Sequence, residues 1–200
     1  MKLALFDYGT GNLHSLGKAL ETSGATVVVT TNWVEALSLG ALVLPGVGAF
    51  GHAARALPTD RSRIREALEA GFPCLGICLG MQLLFNESDE SEGDGIGLLP
   101  GRVSRVSAAI VPQMGWNDVE VTTDPIFSGI QRLVSYYANS FVCEPSDESD
   151  AIAWSEYSGV RFTAAVRRAN TWGLQFHPEK SSTAGRRILA NFVELIGAVR

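Results

Sequence analysis

The sequence predicts an α/β fold: one doubly wound, mostly parallel sheet flanked by helices, with an added antiparallel strand region in the second half. Three observations carry that prediction. Short apolar runs alternate with segments of helical spacing over the first hundred residues, the signature of parallel strands joined by crossover helices. The runs end at turn residues such as Pro45 and Gly71, which stop strands and helices. After about Pro100 the segments become strand-like with few helices between them.

The elements follow in order. "KLALFD" is a short strand ending at the turn cluster "DYGTGN". Leu13, Leu16 and Leu20 follow at helical spacing, and Gly24 ends that helix. "TVVVT" is a β-branched strand. "WVEALSLG" is a short helix with a glycine stop, and "ALVLPG" a strand ended by Pro45. In "DRSRIREALEAG", Asp60 can cap a helix, Ile64 and Leu68 share a face, and Gly71 closes it. "FPCLGIC" is the next strand and "GMQLLF" opens the next helix. Then "GRVSRV", "NDVEVTT", "LVSYYANSFVC", "FTAAVRR" and "TWGLQF" read as strands. The last segment, "STAGRRILANFVELIGAVR", is a capped helix with Ile188, Phe192, Leu195 and Ile196 on one face. No repeat or linker interrupts residues 1–200, which read as one domain. The polar loop "NESDESEGDG" reads as solvated surface without functional weight.

Composition narrows the function. Apolar residues make up 46 % and charged residues 18 %, enough to bury a sizeable core. A net charge of −5 argues against nucleic acid or an anionic membrane as main partner. Three cysteines, an odd number, argue against a disulfide framework and point to a reducing cytoplasm. No apolar run is long enough for a transmembrane helix.

The informative stretch is "FPCLGICLGMQLLF", with Cys78 between Gly76 and Gly80. Ligands of a doubly wound sheet sit beyond the carboxyl ends of its strands, and Cys78 falls there, between a strand and a helix N-terminus. A side chain on so tight a turn points out of the sheet only if its neighbours are small. G-x-C-x-G is thus the cysteine form of a nucleophile elbow. A helix N-terminus favours the thiolate, and the Leu79 N–H is a natural oxyanion donor. Cys74 and Cys143 read as small buried hydrophobes. No histidine pair accompanies Cys74 and Cys78, so no metal is expected, and no cofactor either.

A thiol nucleophile needs a base, and the chain has three histidines. His14 falls in the first helix and His52 follows "PGVGAFG"; both read as structural. His177 lies in "WGLQFHPEK", where Pro178 ends the strand. Glu179 can turn back to hold one ring nitrogen while the other faces the thiol, the orienter role of a triad. A competing signal is "GVGAFG", Gly46 to Gly51, which matches G-x-G-x-x-G. It follows the third strand, Pro45 precedes it, and the next strand ends in a cysteine where a ribose-binding acid belongs. Glycines that let backbone amides approach a substrate carbonyl explain it better.

With these residues in hand, "GICLGMQLLF" and "QFHPEK" make the chain resemble the class I, triad-type glutamine amidotransferases. "DYGTGNL", "LPGVGAFG", "PQMGWN" and "GLQFHPEKS" narrow the resemblance to glutaminase subunits that feed a (β/α)₈-barrel cyclase of histidine biosynthesis. The resemblance implies Cys78 as nucleophile, His177 as base and acid, and Glu179 as orienter. It implies L-glutamine held by Gln82 and by the backbone around Ser140 and Phe141. It makes Pro45 to Gly48 the oxyanion strand, with a Val47–Gly48 peptide that flips to donate. Met114, Trp116 and Lys180 would lie toward the cyclase. The chain departs from the family in having Asn139 and Gln113 where histidines are usual, and Phe141 after Ser140. Two other readings stay open: a related glutaminase serving a sugar-modifying synthase, and a cysteine-elbow protein of the peptidase or stress type.

Overall fold

The computed structural model describes residues 1–9 and 13–198; the "DYGTGN" turn lies partly outside the described residues. The first half alternates as expected: β1 (Lys2–Phe6), α1 (Leu13–Thr22), β2 (Thr26–Thr30), α2 (Trp33–Ser38), β3 (Leu42–Leu44), α3 (Phe50–Ala56), α4 (Ser62–Glu69), β4 (Cys74–Ile77) and α5 (Leu79–Gln82). Then come β5 (Glu87–Ser88), β6 (Gly101–Arg105), β7 (Gln113–Val121), β8 (Leu133–Asn139), β9 (Phe141–Pro145), β10 (Ala151–Tyr157), β11 (Val160–Arg168), β12 (Thr171–Leu174) and α6 (Ser182–Ala198).

One sheet joins both halves in the order β2-β1-β3-β4-β12-β11-β10-β7-β8, with β9, β6 and β5 branching from β11. Strands β2, β1, β3, β4 and β12 run parallel. From β12 to β11 onward the path turns antiparallel. The parallel half therefore ends at the β4–β12 junction, where strands from distant parts of the sequence meet, and Cys78 stands directly after β4.

A buried cluster lies on each face. Leu16 and Leu20 of α1 pack with Ile188, Phe192 and Ile196 of α6 over one face. Ala36, Phe50, Ala53, Ile64 and Leu68 cover the other with Leu79 and Met81. Both faces being covered explains why β1, β3 and β4 read as continuous apolar runs. Leu195 is only partly buried at the edge of its cluster.

Three local features differ from expectation. Helix α3 forms where the sequence suggested only a loop. "FGHAARA" has no large apolar stripe, and Gly51, Ala53 and Ala54 are buried through their small size. Strand β10 begins with three buried residues in a row, so it lacks the alternation that marks a half-exposed strand. "LVSYYANSFVC" breaks at Ser140 into β8 and β9, which leave in different directions to pair with β7 and β6. Asp60 does engage α4, but one residue before the cap position, by accepting from Ser62 N at 2.9 Å.

Candidate active site

Cys78 occupies the turn between β4 and α5 with φ 47 and ψ −103. Positive φ is strained for a residue with a Cβ, at a cost of about 1–3 kcal/mol, so the surroundings must enforce it. They do so by close approach. A Cβ on Gly76 would lie 2.6 Å from the Gly80 carbonyl oxygen, and one on Gly80 would overlap the carbonyl of Leu44. Cys78 N donates to Leu174 O at 2.6 Å, tying the elbow to the end of β12. Helix α5 is a single turn, so the dipole expected from the sequence is that of one turn only. Leu79 opens it, and its N–H belongs to the first turn, where no intrahelical acceptor exists.

The second part of the site arrives on the turn after β12. His177 is 1 % exposed and its Nδ1 is 2.9 Å from Glu179 Oε1. Cys78 lines the same cavity and acts on the ring as a bonding and charged neighbour, and with Nδ1 turned to Glu179 the other ring nitrogen, Nε2, is left for it. Burial works against the charged ring, but the bonds and charge of Cys78 and Glu179 outweigh it, and the His177 pKa is pushed up to about 9. An imidazolium is therefore the resting form at neutral pH.

That turn is bolted to β8. His177 N donates to Tyr136 O at 2.9 Å. The buried Ser181 hydroxyl donates to His177 O at 2.6 Å and accepts from Tyr136 N at 2.9 Å. Ser181 was not singled out from the sequence, where a serine after "HPEK" reads as a helix start.

A cavity of about 250 Å³ opens over these groups. It is lined by Gly46, Val47 and Gly48, by Cys78, Leu79 and Gln82, and by Ala138 to Phe141, His177, Lys180 and Glu90. Every substrate-side residue expected from the sequence is thus at one place. Gln82 Nε2 points to Phe141 O at 3.4 Å, and Asn139 Nδ2 donates to the same oxygen at 3.1 Å. Ser140 O accepts from Val106 N. Both carbonyls that were candidates for holding substrate are thus occupied by protein donors. Gly48 has φ +126, a backbone state that suits glycine and that other residues rarely adopt.

The loop denied functional weight contributes an acidic wall. Glu90 lines the cavity, and its Oε2 accepts from Phe50 N at 2.7 Å, at the start of α3. Ser91 Oγ accepts from Gly51 N beside it. Fixing that loop takes contacts 40 residues apart, which no local pattern announces. His52 is structural, with Nε2 3.0 Å from Tyr8 O, and Cys74 and Cys143 are buried free thiols.

Met114 and Trp116 stand 61 % and 55 % exposed, opposite Ala138 and Tyr136 across β7–β8. Trp116 meets Tyr136 edge-on, and Lys180 Nζ lies over the Tyr136 ring. Because Ala138 and Lys180 also line the cavity, this apolar patch runs to the cavity mouth. Two of the departures from the family pattern, Gln113 and Asn139, face each other across the same strands and are both buried.

A family model described as glutamine amidotransferase class-I matches residues 4–195. This chain belongs to the class-I glutamine amidotransferase family. Among curated relatives, the imidazole glycerol phosphate synthase subunit HisH of Methanothermobacter thermautotrophicus is 43 % identical, over 98 % of this chain and 100 % of the relative. The protein of the same description from Moorella thermoacetica is 44 % identical, over 97 % and 95 %. Among solved structures, a glutamine amidotransferase superposes with TM-score 0.76 at 21 % identity, covering 98 % of this chain and 99 % of that one. PurLQS from Thermotoga maritima gives 0.74 at 21 % identity, covering 97 % and 98 %. At that identity the structural likeness bears on the amidotransferase's fold, and the curated relatives bear on its family.

Proposed function

We propose that this amidotransferase is the glutaminase subunit of an imidazole glycerol phosphate synthase, hydrolysing L-glutamine to glutamate and passing the ammonia to a (β/α)₈-barrel cyclase. The observation that carries the chemistry is the line from Glu179 through His177 to Cys78, the last two lining one cavity. The near full-length relatives named as synthase subunits favour this pathway over a sugar-modifying one. A thiol that must stay reduced favours a reducing cytoplasm as the setting.

The proposed steps follow from the protonation states. The Cys78 thiolate attacks the side-chain carbonyl carbon, and the carbonyl electrons move to oxygen. Backbone N–H groups of Leu79 and of the Val47–Gly48 strand receive the oxyanion. His177, resting as imidazolium, gives its proton to the amide nitrogen; the C–N bond breaks and ammonia leaves. Neutral His177 then takes a proton from water, hydroxide attacks the thioester, and glutamate departs as the thiolate re-forms. Glu90 supplies a carboxylate for the substrate's α-ammonium group, and Gln82 supplies an amide for its other end. Met114, Trp116, Tyr136 and Lys180 form the face for the cyclase, beside the point where ammonia is released.

Hydrolysis without an acceptor wastes ammonia, and the Gly48 peptide offers the means to prevent it. One missing oxyanion donor is worth about 10² to 10³ in turnover. The isolated chain is therefore expected to release glutamate slowly, and the cyclase with its nucleotide-like ligand to raise the rate by a comparable factor. Cys78→Ala is expected to abolish glutamate release while the complex still uses free ammonium. Equal, fast rates for the chain alone and in complex would sink the gating. Full glutaminase activity in Cys78→Ala would sink the nucleophile.

A further inference from the structure

We propose that Gln175 is a positioning residue of the glutaminase step, its side-chain amide donating to the Cys78 sulfur and holding it as a thiolate opposite His177. Gln175 directly follows β12 and precedes His177 by two residues. It is 0 % exposed, and its backbone N is fixed on β11 by donating to Ala164 O at 2.8 Å. Its Nε2 donates to Cys78 Sγ at 3.5 Å, its one side-chain hydrogen bond among the described residues. Its Oε1 is buried with no hydrogen-bond partner.

Burying a primary amide with its oxygen unpaired is costly, and a leucine or methionine would fill the same space without that cost. What offsets that cost is the bond its N–H makes, and the partner is the sulfur. A thiolate accepts from an amide N–H more strongly than a thiol does, because bonds to an ionised acceptor are the stronger ones. The residue just before it contributes as well, since Leu174 O receives Cys78 N. The end of β12 thus fixes the nucleophile through its backbone and its sulfur through a side chain. Two donors then face the sulfur: His177 places a charge that leaves during the reaction, and Gln175 a dipole that stays throughout.

The inference rests on Cys78 as nucleophile, and the test separates the two. Iodoacetamide alkylation of Cys78 in the full chain is followed against pH, with labelled peptides identified by mass spectrometry. Cys74 and Cys143 are buried and burial pushes both thiols up, so Cys78 dominates below alkaline pH. In Gln175→Met, the midpoint of the alkylation profile should move up by about one pH unit, the size of one hydrogen bond to a charged group. Turnover of glutamine should fall about tenfold with KM little changed. Gln175→Leu, of similar size, also removes the donor and should move the midpoint as far; it decides the matter if the methionine variant does not fold. A profile that superimposes on the parent's in the folded variant overturns the role of Gln175. Retained hydrolysis by Cys78→Ala overturns the nucleophile and this inference with it.

Discussion

The two sides of the active site are built by opposite means. On the β4 side, Cys78 is placed by exclusion: its backbone is strained, and Gly76 and Gly80 leave no room for another arrangement. On the β12 side, His177 is placed by attachment, through Glu179 on its ring and Ser181 and Tyr136 on its backbone. Close packing tolerates almost no change of volume, whereas each bond of a network contributes a modest share. The nucleophile should therefore fail all at once, and the base by degrees.

The largest effect should come from Gly80→Ala. Its new Cβ would overlap the Leu44 carbonyl, and backbone cannot move aside as a side-chain tip can. Stability should drop by about 3 kcal/mol, the upper end for overpacking, read as the urea midpoint, with glutaminase activity lost. An unchanged midpoint would show that close packing does not set the elbow.

His177→Ala should lower glutamine turnover by about 10² to 10⁴ without comparable loss of stability, and Glu179→Gln should cost less. Glu179 is one of the groups that hold the His177 pKa up near 9. Its removal should move the alkaline limb of the pH–rate profile to lower pH, since the ring then loses its proton earlier. The linked stability has the same sign: it is complete below about pH 6.5, the free histidine value, and is lost as pH rises through about 9. A limb that stays in place in Glu179→Gln would exclude the carboxylate as orienter.

The smallest effect should follow Ser181→Ala. It leaves Tyr136 N and His177 O without the hydroxyl between them, at about 1–3 kcal/mol. Turnover should fall by about tenfold, since the ring is still held by Glu179. Loss as large as that of His177→Ala would mean that the turn collapses as a unit, contrary to a base side that fails by degrees.

Much of this was legible in the sequence because the signals are local. "LGICLG" spells an elbow from residues two apart, and "FHPEK" puts a histidine and its carboxylate two residues apart. Glu90, Ser181 and Gln175 were not legible as site residues. Each acts on a partner far along the chain: Phe50, Tyr136 and Cys78 respectively. Helix α3 and strand β10 escaped for a related reason. Small residues, or a run of consecutive buried ones, remove the periodicity on which a sequence reading depends.

The sequence by itself determined the alternation of strands and helices, the place of the turn after β4, and the chemical types brought to it. Strand order, and with it the meeting of Cys78 with His177, was decided only by the tertiary structure. β4 and β12 lie about a hundred positions apart in the chain, yet pair in parallel from Cys74–Thr171 to Ile77–Leu174. Nothing in either strand's own pattern names the other. What selects the pairing is that both are apolar on two faces and must be covered on both by α6, α1 and the helices opposite, a condition the whole chain satisfies at once.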